Sequence, residues 1–182
     1  MEAAGVWEHQ RLELVEGELI NRMGKHRKHS TSITLVNIKL GEIFGRHFVN
    51  QEVPIDVAPE DNPTNEPEPD LIVLKRHLSD FMEGNPRAKD LNLAVEISDS
   101  SLSFDLSVKA RLYARAEIAE YWVLDVAGRR LIVHRDPILG RYESVSAYDD
   151  TECVAPISAP DKMFCVADAF AKPLHSRMSR PL

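Results

Sequence analysis

Cysteine is nearly absent from this chain, with only Cys153 and Cys165 in 182 residues. The two stand too far apart for a CxxC pair, and no nearby histidine completes a zinc spacing, so buried or idle thiols are expected. Long apolar runs are missing as well. The longest are strand-sized and interrupted, so no segment is expected to cross a bilayer. The start, Met1-Glu2-Ala3-Ala4, lacks the charged-then-apolar plan of a secretory signal, and a cytoplasmic protein is expected. Positive charge is in deficit too. A net charge of −7 argues against a surface that coats nucleic acid nonspecifically, because such binding releases counterions through many Lys and Arg contacts. Any nucleic-acid contact must therefore be local. There is no internal repeat, no low-complexity tract and no GxSxG serine elbow, so a small-molecule hydrolase has nothing specific behind it.

What is present is an ordinary globular composition, 43% apolar and 28% charged, enough for one domain with one sizeable core. The core is expected over about 11–146, and the tail over about 171–182 carries little pattern. Leu12-Glu13-Leu14-Val15 and Glu18-Leu19-Ile20 flank Glu16-Gly17, where glycine can take a positive φ, and read as a hairpin that packs on the sheet. Ser30 to Phe44 reads as a helix, since Ile33, Val36, Leu40 and Ile43 recur at helical spacing and Gly45 can end it. Phe48 to Val57 reads as a strand in which Pro54 must face an edge or a bulge. Asp70 to Leu74 is a buried strand leaving a Pro- and Asp-rich loop. In Leu91 to Ser98, Leu91, Leu93, Val95 and Ile97 face one way and Ala94, Glu96 and Ser98 the other. A helix from Ser103 to Ala116 follows, with Leu106, Ala110 and Tyr113 on its buried stripe. Tyr121 to Val126 and Arg130 to His134 then form a hairpin across Ala127-Gly128-Arg129, with a short strand at Tyr142 to Val145. The order ββ-α-β-β-β-α-β-β predicts a mixed α/β sheet.

The chemistry lies in scattered charged residues. Asp70 stands at the mouth of a core strand, and Glu96 inside a strand among Val and Ile, where a carboxylate costs free energy unless it is paired or binds a cation. Asp105 and Lys109, at i and i+4, share a helix face and taken alone read as an ordinary surface ion pair. Together, Asp70 and Glu96 can hold Mg²⁺ (or Mn²⁺) with the backbone carbonyl of Ile97, while the Lys109 ammonium orients or deprotonates a water or offsets phosphate charge. Glu13 is a further candidate for the metal shell, or else a partner of Arg11. His29 is a candidate for phosphate contact or water positioning, or else a helix cap. Arg22, Lys25, His26, Arg27, Lys28 and His29 put six basic or potentially basic residues within eight positions, read either as a solvated connection or as a phosphate-contacting loop.

These residues resemble the Uma2 family of restriction-endonuclease-like proteins, within the PD-(D/E)xK nuclease superfamily. Arg11 to Glu18 is similar to its opening hairpin, His29 to the histidine starting its first helix, and Glu68-Pro69-Asp70-Leu71 to its PD motif. Glu96-Ile97-Ser98 is similar to its second acidic motif. Asp105 through Lys109, Tyr113-Ala114 and Glu120 to Asp125 are similar to its helix and following strand. The resemblance implies a restriction-endonuclease-like αβββαβ core with a mixed central sheet, here carrying an N-terminal and a C-terminal β-hairpin, and metal-dependent phosphodiester cleavage, with DNA the substrate by analogy. Ser98 stands where the superfamily's ExK lysine would be, so Lys109 supplies that ammonium from the helix. Ala116-Glu117-Ile118-Ala119 stands where members usually carry a Gly and a Pro. One site per chain implies a homodimer for cutting both strands, with the hairpin around Gly128 as contact surface. A noncatalytic DNA-binding or assembly module that keeps the fold is the alternative.

Overall fold

Glu16 and Gly17 both take positive φ, 53° and 79°, the geometry of the two-residue turn that matches strand twist and closes β1 (Leu12–Val15) on β2 (Glu18–Asn21). The structure, a computed structural model, describes residues 12–21 and 27–171. The hairpin forms a two-stranded sheet of its own and reaches the rest of the fold through the 59–69 loop. The Glu16 N–H donates to Asn65 Oδ1, the Gly17 N–H donates to the Thr64 carbonyl, and Arg115 binds both Glu16 and Asp61.

Helix α1 (Arg27–Phe44) starts three residues before the expected Ser30, because Arg27 and Lys28 are good helix formers that simply extend it. It is followed by β3 (Val49–Gln51), far shorter than the expected strand to Val57. Glu52 turns to φ 53° and Pro54 has no N–H to give, so the ladder stops there. Next come β4 (Leu71–Leu74) and β5 (Leu91–Ser98). A single helical segment then runs through α2 (Leu102–Phe104), one π turn (Asp105–Lys109) and α3 (Ala110–Arg115). The strands β6 (Glu120–Asp125), β7 (Arg130–Ile138) and β8 (Arg141–Asp149) complete a six-stranded sheet in the order β3-β4-β5-β6-β7-β8. Only β5 and β6 run parallel, joined by the helical crossover that parallel neighbours need. Among the described residues no helix is long and apolar enough to cross a membrane.

Period-two alternation sorts the sheet's two faces. Leu71, Val73, Leu93, Val95, Trp122 and Leu124 meet Ile33, Val36 and Leu40 of α1. Ile72, Leu74, Ala94, Tyr121 and Val123 meet Leu112 and Tyr113 of α3 on the other side. Leu91 departs from the expected alternation. The pairing with β4 slips between Val73 and Leu74, so that Leu74 faces Leu91 while Val73 faces Leu93, and the extra residue on β5 sends Leu91 to the α3 side. Counting back from Ile72 and forward from Ala94 gives the functional consequence: Asp70, Glu96 and Ser98 all lie on the α3 face.

The expected idle thiols are instead a disulfide. Cys153 and Cys165 sit directly opposite one another on β9 (Cys153–Val154) and β10 (Phe164–Cys165), a short antiparallel pair, at a sequence separation of 12. Spacing along the chain did not reveal that the intervening segment folds back on itself. Closing so short a loop removes chain entropy from the unfolded state, so reduction, or the Cys153→Ser/Cys165→Ser pair, is expected to cost about 3 kcal/mol in urea unfolding.

Candidate active site

Burial is where the site begins. Glu13, Asp70, Glu96, Asp105 and Lys109 come from four separate stretches of chain, and each is at most 5% exposed. Asp105 and Lys109 are therefore not the surface ion pair that their spacing alone allows. The π turn holds both on the inner side of the helix, and its widened ring is marked by the Ala110 N–H donating to the Asp105 carbonyl, which also accepts the Tyr121 hydroxyl at 3.2 Å.

Lys109 Nζ lies 2.8 Å from Glu96 Oε1 and 2.9 Å from Glu13 Oε2. Glu96 Oε1 also accepts the Tyr113 hydroxyl at 2.9 Å, while Glu96 Oε2 makes no hydrogen bond with a described residue. Glu13 Oε2 accepts the Glu68 N–H at 3.2 Å, which ties the hairpin to the residue two before Asp70. Asp70 Oδ2 accepts the Ile97 N–H at 2.8 Å across the mouth of the β4 and β5 pair, and Oδ1 lies 3.5 Å from His29 Nε2. In an extended strand a residue's N–H and C=O leave on the same edge, so the Ile97 carbonyl points to the Asp70 side. Asp105 Oδ2 accepts hydroxyls from Ser98 and Ser101, each at 2.6 Å.

Among the described residues, one ammonium stands within a group of four buried carboxylates. Burial, reinforced by Asp70, Asp105 and Glu13 against the opposing pull of Lys109, pushes the Glu96 carboxyl up to about 8. Burial likewise raises Asp105, against Lys109 and its two serine donors. Burial would drive Lys109 down, yet Glu96, Glu13 and Asp105 outweigh it and hold the ammonium above the ordinary lysine range. Both members of the Glu96–Lys109 pair thus shift toward their protonated forms. That is consistent, because among the described residues the carboxylates of the cluster outnumber its ammonium.

An oxygen-only donor set of Asp70, Glu96 and the Ile97 carbonyl suits a hard divalent cation such as Mg²⁺ or Mn²⁺. Among the described residues no three His, Cys, Asp or Glu side chains form a ready coordination shell. Such a cation would be held by two carboxylates and a carbonyl, with water and substrate filling the remainder, as Mg²⁺ commonly is.

Of the expected residues, Lys109 thus contacts Glu96 and Glu13, while Asp70 contacts His29 and the Ile97 N–H beside Glu96, and Asp105 is held by Ser98 and Ser101. Arg27 and Lys28 stand exposed on the first turn of α1, next to His29. Arg22, Lys25 and His26 lie outside the described residues. Three partners were not read as site residues from the sequence: Tyr113, expected only on the helix's buried stripe, and Ser98 and Ser101. Tyr113 is one turn beyond Lys109, a spacing that could have marked it.

Residues 6–160 match the Uma2 family, described as "Putative restriction endonuclease". Among solved structures the chain is similar to the crystal structure of a "putative nuclease belonging to DUF820" from Anabaena variabilis ATCC 29413. The TM-score is 0.69 and the identity 15%, over 88% of this chain and 90% of that one. At that identity the likeness concerns the fold. No curated protein matches the chain.

Proposed function

From the premise that this chain belongs to the Uma2 family of restriction-endonuclease-like proteins, we propose that it is a Mg²⁺- or Mn²⁺-dependent endonuclease acting on DNA. The observation that carries the reading is the buried acidic cluster with one lysine inside it among the described residues, on the face where the sheet's alternation directs both Asp70 and Glu96. Asp70, Glu96 and the Ile97 carbonyl would hold the cation, with Glu13, bound to Lys109, at the edge of the cluster. A divalent ion there supplies Lewis acidity to the scissile phosphate and neutralises charge that the carboxylates cannot.

The remaining work belongs to the chain's own groups. Glu96, Glu13 and Asp105 favour the ammonium form of Lys109 in the metal-free protein, which suits a donor that orients the attacking water and offsets charge on the phosphate. Tyr113 holds Glu96 in place, and Ser98 and Ser101 hold Asp105. His29, beside Asp70, faces the incoming phosphate. Water attacks phosphorus and gives up a proton to solvent, the P–O ester bond breaks, and the leaving oxygen takes up a proton from solvent. One such site cuts one strand, and two copies about a two-fold axis would cut both.

A noncatalytic module is the second reading, favoured by the net charge of −7. Supercoiled, linear and branched DNA incubated with Mg²⁺ or Mn²⁺ separates the two. The wild-type chain is expected to nick at least one of them, and Asp70→Asn to lose the activity. Tight binding without scission by the wild type would make the module the better account.

A further inference from the structure

Beside the acidic cluster lies a cavity of about 600 Å³ that the cleavage chemistry does not use. Two of its walls are direct continuations of the candidate site. Arg27 and Lys28 precede His29, which lies against Asp70. Val126 and Ala127, opposite, begin where the Val126 N–H donates to the Ser98 carbonyl at 2.9 Å, and the Ser98 hydroxyl in turn holds Asp105. The floor is apolar, formed by Val126, Ala127 and Phe170.

The rim is cationic in a protein that is acidic overall. Among the described residues neither Arg27 nor Lys28 has a carboxylate partner. The third cation, Arg129, donates to Asp150 through Nε at 2.6 Å and lays its guanidinium over the Phe170 ring at 4.4 Å, which leaves its other N–H groups to give. An apolar hollow of this volume beneath a stacked guanidinium and two unpaired cations matches a flat aromatic base joined to a phosphate. A duplex buries its bases in the stack and would offer this hollow nothing but backbone.

We infer that this cavity is a subsite for one unpaired nucleotide of the nucleic-acid substrate, its base stacked on the exposed Arg129 guanidinium that Phe170 backs and its phosphate on Arg27 and Lys28. The inference rests on the nuclease reading and narrows it to substrates with a single-stranded stretch, flap or extruded base at the point of cutting.

Fluorescence anisotropy with a short labelled oligothymidylate and with a blunt duplex of equal length, without divalent metal, tests it. The wild-type chain is expected to bind the single strand roughly tenfold more tightly, the scale of one base–aromatic stack. Ala127 sits in an exposed turn, so Ala127→Trp fills the hollow without touching the core and should abolish that preference. Arg27→Ala/Lys28→Ala should weaken single-strand binding and lower its salt slope by roughly 0.7, the value for one lost phosphate contact on a single strand. Equal affinity for both forms, or an unchanged preference in Ala127→Trp, would overturn the subsite. Scission is read separately. A chain that prefers single strands but never cuts keeps the subsite and loses the nuclease; one that cuts with no preference does the reverse.

Discussion

Lys109→Ala is expected to slow strand scission by about 10²–10⁴-fold, the range for a positioned proton-transfer or electrostatic group, while DNA affinity falls far less. The asymmetry follows from where the ammonium sits. It touches Glu96 and Glu13 at the centre of the acidic cluster, whereas the cations available to hold DNA, Arg27, Lys28 and Arg129, lie outside it. The same substitution leaves buried carboxylates without their counter-ion and should cost about 3–5 kcal/mol of stability in the metal-free protein. Combining it with Glu96→Gln removes the charge left stranded, so the double variant should be less destabilised than the sum of the two singles. Rates compared well below each variant's melting temperature separate chemistry from unfolding. If the lysine variant, shown to be folded, cuts at the wild-type rate, Lys109 has no part in the reaction.

Metal-free stability is expected to fall as pH rises, and divalent metal to reverse the fall. Burial, ahead of the neighbouring carboxylates, holds Glu96 at about 8 against 4.5 when unperturbed. A group raised in the folded state contributes stability that is fully present below its unfolded value and is lost as pH climbs through its folded value. Asp105 shifts the same way. The raised Lys109 favours the fold throughout this range, so it does not reverse the trend. Melting temperature without metal should therefore decline from about pH 5 to about pH 9 as the cluster loses protons. A cation competes with those protons, so Mn²⁺ should raise melting most at the alkaline end. With free ion at about one hundred times its Kd the gain is about 2.7 kcal/mol. Glu96→Gln should flatten the pH trend and remove most of the metal effect. A metal-induced rise of equal size in that variant would put the ion elsewhere.

Periodicity and turn chemistry, both local properties, made much of the framework legible. Alternation in β5 from Leu93 to Ser98, the short apolar run of β6 and the stripe of Ile33, Val36 and Leu40 on α1 encode burial directly, so these elements and the mixed α/β class follow from the residues themselves. The parity of Asp70 with Ile72 and of Glu96 with Ala94 is likewise written in the chain, and the pairing of Ile72 with Ala94 then puts both carboxylates on one face. Where a local signal was overridden, the cause was longer-range. Glu52 breaks a strand that composition would have continued, a slipped register turns Leu91 over, and a chain reversal brings Cys153 to Cys165.

Tertiary structure alone decided the state of Asp105 and Lys109. Their i,i+4 spacing is the same on a solvated helix as on a buried one, so sequence cannot tell a weak surface pair from a desolvated charge. Only the helix packing across β5 and β6, with the π turn holding both residues inward, makes the difference. The same holds for Glu13, which reaches Lys109 because the hairpin docks on the loop before Asp70, and for the hollow between α1 and the turn after β6. Residue types and their order settle which groups are available. Their distances depend on contacts between segments far apart in the chain, and charge interactions change from negligible to dominant over those few ångströms once water is excluded.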